Sequence, residues 1–457
     1  MRLPRDGMTA RVRARATGLI LVAAAVAACL AALSGCQPAV EEDAVAPRIL
    51  FIGVDGLDWE RVQRLADDGR LPNIAGLIEE GSSGVLHSLY PYLSPSVWTS
   101  IATGKSEDKH GIAGFLVDRG RTTNPTPTSS NMRTARAFWQ ILNDRGFSTG
   151  IIGWLVTWPA EPVAGYMISS RFSSLLRDDL LEAGDDEALE TKRQGVHPVG
   201  IWDDAVALRV DGDDIGEQTI ASFLGGDVPD GDKAALALKE LRRIYAADET
   251  TLAMAHRFFG DVPTDLAAVY FRGLDTCCHM YWRYMEPDTW PEELPPEMVT
   301  TFGSVIERYY VRIDEIVGEL LEHRGPGTMV LLCSDHGFAG HAGYPGYEGE
   351  FAVGISMHRE DGVIILAGPD IERGGRIDAA GILDVTPTVL AALDIPIGDD
   401  MDGAPLVSAF RTSWIDDHPI RTVETHETDE TPGDAEPIPS PVDDEVIERL
   451  KTLGYIN

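Results

Sequence analysis

Positive charge is what this chain has least of. Its 457 residues carry 38 Lys and Arg against 73 Asp and Glu, a formal net charge of −35. A surface with that balance repels a phosphate backbone, which excludes nucleic acid as a bulk partner. Cysteine is sparse as well, at five residues. In the body of the chain only Cys277, Cys278 and Cys333 remain, and sequence neighbours do not pair without strain, so no disulfide framework follows and buried thiols are expected. No internal repeat or collagen period is visible. At 44% apolar and 24% charged residues the composition is that of a folded globular protein, long enough for one large α/β domain with an insertion or for two domains of roughly 200 residues. Any phosphate ligand would need a strong local cation to offset the acidic field, and a bound metal is the obvious candidate.

Basic residues do cluster once, at the start. Arg2, Arg5, Arg11, Arg13 and Arg15 face Asp6 alone, and residues 16–40 carry no charge. A basic segment followed by an apolar run reads as an export signal. The run ends in Leu33-Ser34-Gly35-Cys36, which resembles the lipobox of bacterial lipoproteins and implies cleavage before Cys36 with lipid on its thiol. The competing reading is an uncleaved transmembrane anchor, because about 20 apolar residues suffice to span a bilayer. Both place the rest of the chain outside the cytoplasm, in the cell envelope and held to a membrane. The expected organisation is a signal peptide over 1–35, a lipidated linker over 36–46 and a catalytic domain over 47–170 and 251–410. A cap is inserted over 171–250, and 411–457 form an acidic loop and C-terminal helix.

Short apolar runs at 48–54, 149–154, 266–270, 328–333 and 362–367 alternate with helical patterns, notably 302–321 and 382–393. Strands apolar on both faces, interleaved with helices, argue for an α/β fold around a mostly parallel sheet flanked by helices. Ligands of such sheets bind at the carboxyl ends of the strands. Asp55 follows the first run, Asp275 and His279 the third of those listed, Asp335 and His336 the fourth, and His358 lies just before the last. Taken singly, Asp55 could cap a helix and His358 could sit on the surface; together they form a metal-ligand pattern. Hydroxyls cluster on Ser94-Pro-Ser-Val-Trp-Thr-Ser100, before a helix running toward Gly104. A helix N-terminus favours an anionic oxygen and a bound phosphate. Spacing alone yields a metal-assisted nucleophile and does not choose among Ser94, Ser96, Thr99 and Ser100.

These segments together resemble the alkaline phosphatase superfamily, most closely its type I phosphodiesterase/nucleotide pyrophosphatase branch. The likeness is carried by Phe51-Ile-Gly-Val-Asp-Gly56, Ser94 through Gly104, Lys109-His-Gly-Ile112, Asp275…His279, Ser334-Asp-His-Gly337 and His358…Asp361-Gly-Val363, and continues in Asp384-Val-Thr-Pro-Thr-Val389 and Asp400-Met-Asp-Gly403. It covers residues 47–170 and 262–408. The resemblance implies two divalent metal ions, zinc by ligand type with manganese or iron as alternatives. Asp275, His279 and His358 would hold one ion, and Asp55, Asp335 and His336 the other, which also binds the nucleophile oxygen of Ser94. It further implies a phospho-Ser94 intermediate and hydrolysis of phosphate esters, preferentially diesters.

The departures shape the expected substrate. His110-Gly-Ile-Ala-Gly114 is followed by Phe115, where nucleotide pyrophosphatases place an Asn, and Pro95 offers no N–H beside the nucleophile. A small-molecule, lipid or glycan phosphate ester is therefore expected rather than a nucleotide, with Trp98, Phe115 and cap residues as candidate walls. Sulfatases need an Arg at set spacing to mature their nucleophile, and Ser94-Pro-Ser-Val-Trp98 has none. A monoesterase needs a cation for the extra charge; Lys105 and Arg272 are the nearest in sequence. Phosphomonoesterase or phosphonate hydrolase activity on the same site is the alternative reading, and an inactive binding lipoprotein of the envelope the alternative from another class. His341 is assigned to a Gly-rich loop, a candidate lid. His87, His197, His256, His323, His418 and His426 show no partner pattern and are read as surface residues.

Overall fold

The computed structural model describes residues 46–117, 126–175, 186–290, 293–340, 357–428 and 435–455. The expected signal peptide, Cys36 and linker lie outside the described residues, as does His341 with most of its Gly-rich loop. Among the described residues no helix is long and apolar enough to cross a membrane.

A ten-stranded sheet organises the protein. Its strands are β1 (Ile49–Val54), β2 (Ser82–His87), β3 (Thr149–Ile152), β4 (Gly165–Ile168), β5 (Val196–His197), β6 (Leu266–Phe271), β7 (Met329–Cys333), β8 (Asp361–Ala367), β9 (Gly375–Arg376) and β10 (Ala380–Gly381). They lie in the order β9-β2-β8-β7-β1-β6-β3-β4-β5, with β10 also beside β2. The central strand shows why this sequence makes a doubly covered sheet. Ile49 and Phe51 of β1 enter one core, while Leu50, Ile52 and Val54 enter the core on the other face. Each such side chain contributes roughly 1.5–3 kcal/mol on burial.

Strands β1, β3, β4, β6 and β7 run parallel to one another. β8 does not: it pairs antiparallel with β7 and with β2. That reversal matters for function. His358 precedes β8, so only an antiparallel β8 delivers it to the edge where β1, β6 and β7 end.

Five helices position the chemistry: α1 (Ser94–Thr103), α2 (Asp232–Asp261), α3 (Gly273–Met285), α4 (Val305–Leu320) and α5 (Asp443–Thr452). The segment read as a cap behaves differently from that expectation. Val196–His197 adds a strand to the sheet edge, and Trp202, Phe223, Leu241 and Ile244 join the core shared with Leu50 and Val54. The apolar positions of 202–259 are spaced for a core face, and the large sheet offers one. The C-terminal segment docks beside the site instead. Val442 packs with Trp158 and Leu175, Arg171 pairs with Asp443 at 2.6 Å, and Leu450 and Tyr455 pack with Phe115.

Two histidines read as solitary surface residues are a pair: His256 Nδ1 lies 3.0 Å from His323 Nε2, and His256 Nε2 lies 3.3 Å from Glu319. Helix α2 and the turn after α4 bring them together, which no sequence spacing reveals.

Candidate active site

The site forms at the carboxyl edge of β1, β6 and β7. The Asp55 N–H donates to Phe271 O at 2.9 Å, carrying the ladder one residue past β1. Gly56 then turns with φ +73, and a Cβ there would stand 3.1 Å from Asp275 Cα. Only glycine accepts both the backbone angle and the approach, so Gly56 lets the first turn of α3 close on Asp55. Asp275 and His279 are four residues apart and share one face of α3; His279 Nε2 lies 3.3 Å from Asp275 Oδ1. His358 Nε2 lies 3.4 Å from the same oxygen and 3.0 Å from His279 Nε2. His336 Nε2 lies 3.3 Å from both Asp55 Oδ1 and Asp335 Oδ2. All six predicted metal-ligand side chains are thus brought together, in two groups that share a wall: the His336 and His358 rings stack at 3.7 Å between centroids. His336 also falls within ligand reach of Asp275 and His358.

Hydrogen bonds set the tautomers. His336 Nδ1–H donates to Gly337 O at 3.1 Å, and His358 Nδ1–H donates to Tyr92 O at 2.9 Å. A carbonyl only accepts, so both Nε2 atoms keep their lone pairs and face the cluster. Tyr92 holds its carbonyl there at φ 55, an unfavourable angle for a bulky residue. The antiparallel pairing of Gly337–Phe338 with His358–Arg359 fixes the two imidazoles side by side.

The donor set fits divalent cations. Asp55 Oδ1, Asp275 Oδ1, Asp335 Oδ2 and His336 Nε2 are all buried without a hydrogen-bond partner, a costly arrangement for a protein interior. Burial, then the Asp335 and Asp275 charges, push the Asp55 carboxyl well up. Burial and Asp275 push Asp335 up to about 8. For Asp275 burial also acts upward, but His279 and His358 outweigh it and hold that carboxyl low. Burial, reinforced by His358, lowers His336. Three crowded carboxylates and three imidazoles, two of them with inward lone pairs, make oxygen and nitrogen donor sets of the kind zinc and its neighbours take. Tyr270 donates to Asp55 Oδ2 and orients it.

Among the four hydroxyl candidates, three are committed elsewhere. Ser96 Oγ points to Glu107 at 3.3 Å, Thr99 Oγ1 donates to Pro95 O at 2.6 Å, and Ser100 Oγ pairs with His110 Nε2 at 3.0 Å. Ser94, the first residue of α1, lines a cavity of about 110 Å³ together with Asp55 and Asp275. Helix α1 lies close to β1 because a Cβ on Gly53 would meet the Trp98 ring at 2.8 Å. Trp98 is accordingly core, edge-on to Trp154 and Tyr270, and not the expected wall. Phe115 does line the cavity.

The rest of the wall corrects the sequence reading. Among the described residues of 171–250 only Arg171 and Ser174 line the cavity; α5 and Tyr455 supply the other side. Tyr455 Oη lies 2.8 Å from His279 Nε2 and 3.2 Å from His358 Nε2, and Tyr455 shares the cavity wall with Ser94. Lys105 is absent from the wall and bound to Asp400 and Glu427 at 2.6 and 2.7 Å. Arg272 and Arg449 are present in it. Nothing near Arg449 or Tyr455 in the sequence signals a site; their only hint was an amphipathic final helix.

A family model described as type I phosphodiesterase / nucleotide pyrophosphatase matches residues 49–362. No curated protein matches the chain. Among solved structures, a 2-O GAG sulfatase is similar at 11% identity and TM-score 0.52, over 83% of this chain and 76% of that one. A phosphonoacetate hydrolase from Sinorhizobium meliloti aligns at 18% identity and TM-score 0.35, over 64% and 57% of the two chains, too distant a likeness to carry argument.

Proposed function

Because the chain belongs to the type I phosphodiesterase / nucleotide pyrophosphatase family and is thereby a phosphoric ester hydrolase of the alkaline phosphatase superfamily, we propose that it cleaves phosphodiesters through a phospho-Ser94 intermediate. The observation that carries this reading is Ser94 lining one cavity with Asp55 and Asp275, whose free oxygens belong to a cluster of unpartnered buried donors. Two divalent cations, held by Asp275, His279 and His358 and by Asp55, Asp335 and His336, would supply the charge that lowers the Ser94 pKa and neutralises the attacking and leaving oxygens. The protein's own part is positional. Ser94 Oγ attacks phosphorus and one P–O ester bond breaks, releasing the first alcohol; water then cleaves the Ser94–phosphoryl bond and frees the monoester. Ser94 opens α1, so the partial positive charge of the helix N-terminus faces the transferred group, although Pro95 offers no N–H. The phenol of Tyr455 lies in the same cavity, against His279 and His358. We infer further that Cys36 is lipidated and anchors the protein in the envelope.

Arg272 in the cavity wall favours a second reading, a monoesterase. The test is kcat/KM on bis-p-nitrophenyl phosphate, p-nitrophenyl phosphate and p-nitrophenyl sulfate after EDTA stripping and reloading with Zn2+ or Mn2+. Metal-dependent preference for the diester is expected. Preference for the monoester would overturn the diester reading, and absence of both turnover and bound metal would leave a binding protein.

A further inference from the structure

Resting on that phosphodiesterase reading, the geometry points to a second anion site in the cavity: we propose that Arg272 and Arg449 bind an oxyanion carried by an organic arm of the ester, so that the substrate has one anionic group besides the scissile phosphodiester.

Two guanidiniums from distant parts of the chain meet at the cavity that holds Ser94. Arg272 follows β6, three residues before Asp275, while Arg449 projects from α5 and donates to Thr276 Oγ1 at 3.4 Å. Both line the cavity, and neither makes an ion pair with a described carboxylate. Arg171, on the same wall, differs: Asp443 accepts from it at 2.6 Å and Thr128 O at 2.8 Å, so its charge is spent holding α5 in place. In a chain with almost two acidic residues per basic one, leaving two arginines without a carboxylate partner is costly. Burial, and then their mutual repulsion in the case of Arg449, lowers both pKa values. Glu445 shares the wall, and Asp248 lies on the far side of Arg272, held by Tyr309 at 2.7 Å. Asp248 and Glu445 act on Arg272, and Glu240 and Glu445 on Arg449, only beyond ion-pair distance, and burial outweighs them in both. A planar fork of donors suits carboxylate, sulfate or phosphate equally, so oxyanion is the class assigned. The remaining wall, including Phe115, Val156, Trp158 and Leu453, accommodates the apolar part of the same arm.

The test compares two diesters that differ by one carboxylate, phenyl p-nitrophenyl phosphate and 4-carboxyphenyl p-nitrophenyl phosphate, with the metal-loaded full chain and both phenols resolved by chromatography. In parallel, phenylphosphonate and 4-carboxyphenylphosphonate are titrated calorimetrically as non-hydrolysable probes. A charge-assisted contact predicts a preference of about 10–100-fold for the carboxylated member of each pair at low salt. That ratio should fall with added NaCl and drop toward one in Arg272→Gln and Arg449→Gln, with part retained in Arg449→Lys. Equal affinity and equal kcat/KM in the wild type would overturn the site, as would a preference that survives both Gln variants. Absence of cleavage of either diester, with the binding preference intact, would sink the phosphodiesterase reading and leave the oxyanion site standing. If p-nitrophenyl phosphate proves the best substrate and the carboxylate gains nothing, the arginines serve the transferred phosphoryl group and the proposal fails.

Discussion

Asp335→Asn should stabilise the metal-free protein and lose most of that advantage once metal is bound. Asp335 is fully buried between Asp55 and His336, and its carboxyl is pushed from an ordinary 3.8 up to about 8. A carboxyl whose folded pKa is raised stabilises nothing at neutral pH; it imposes a penalty that grows as pH rises from 3.8 toward 8. At pH 7 three units of that span are in force, and at about 1.4 kcal/mol per unit the penalty is of the order of 4 kcal/mol. Because the Asp335 charge in turn raises Asp55, the figure belongs to the pair. Asn keeps the oxygen that accepts from the Gly56 N–H at 3.3 Å and discards the charge. In EDTA-treated protein at pH 7 the variant should therefore melt several degrees higher than wild type. Adding 0.1 mM Zn2+, roughly a hundredfold above a micromolar Kd, should raise wild type by about 2.7 kcal/mol and the variant far less, while turnover in the variant drops by several orders of magnitude. Differential scanning calorimetry with and without EDTA reads both arms. A variant destabilised equally in the two conditions would show that the cluster is an ordinary hydrogen-bond network, and near-normal turnover would refute the two-metal assignment.

Three further outcomes are expected. Ser94→Ala should abolish a phosphoenzyme trapped by acid quench and read by mass spectrometry, and Ser96→Ala should leave it; the reverse would shift the nucleophile by two residues. His110 is locked neutral, accepting the Ile112 N–H at Nδ1 (3.1 Å) and facing Ser100 Oγ through Nε2, and burial followed by Arg133 pushes it down to about 4. Since the unfolded chain binds that proton near 6.5, stability should fall by up to about 3 kcal/mol between pH 6.5 and 4, and urea melts of His110→Gln should show a shallower acid slope. Cys36→Ala should move the protein from the membrane fraction to the soluble fraction of the envelope, whereas persistence in the membrane would support the uncleaved anchor.

The strands were legible because both of their faces are apolar, as in β1, where the alternate residues serve two cores. Among the strands that reading missed, β2, Ser82–His87, begins Ser-Ser-Gly and carries too little apolar signal for a run-based reading, yet it is built into the sheet through β8. The six clustered Asp and His residues were legible as a set because strand ends are where a parallel sheet gathers its chemistry, and their residue types are those of a candidate metal site. His358 reaches that edge through a feature the sequence reading did not contain, the antiparallel β8; before a parallel strand it would sit at the opposite edge.

The sequence by itself determined what is local or periodic: the doubly covered sheet, the Asp275–His279 spacing and the acidic balance of the chain. Spacing did not choose among the four hydroxyls; the structure does, because Ser96, Thr99 and Ser100 are held by Glu107, Pro95 O and His110 while Ser94 lines the cavity. Tertiary structure also decided that α5, not residues 202–250, closes the cavity and delivers Arg449 and Tyr455. Those contacts join residues more than 170 positions apart, and no periodicity encodes such a pairing; it exists only once Trp158, Leu175 and Arg171 have given the last helix a place to dock.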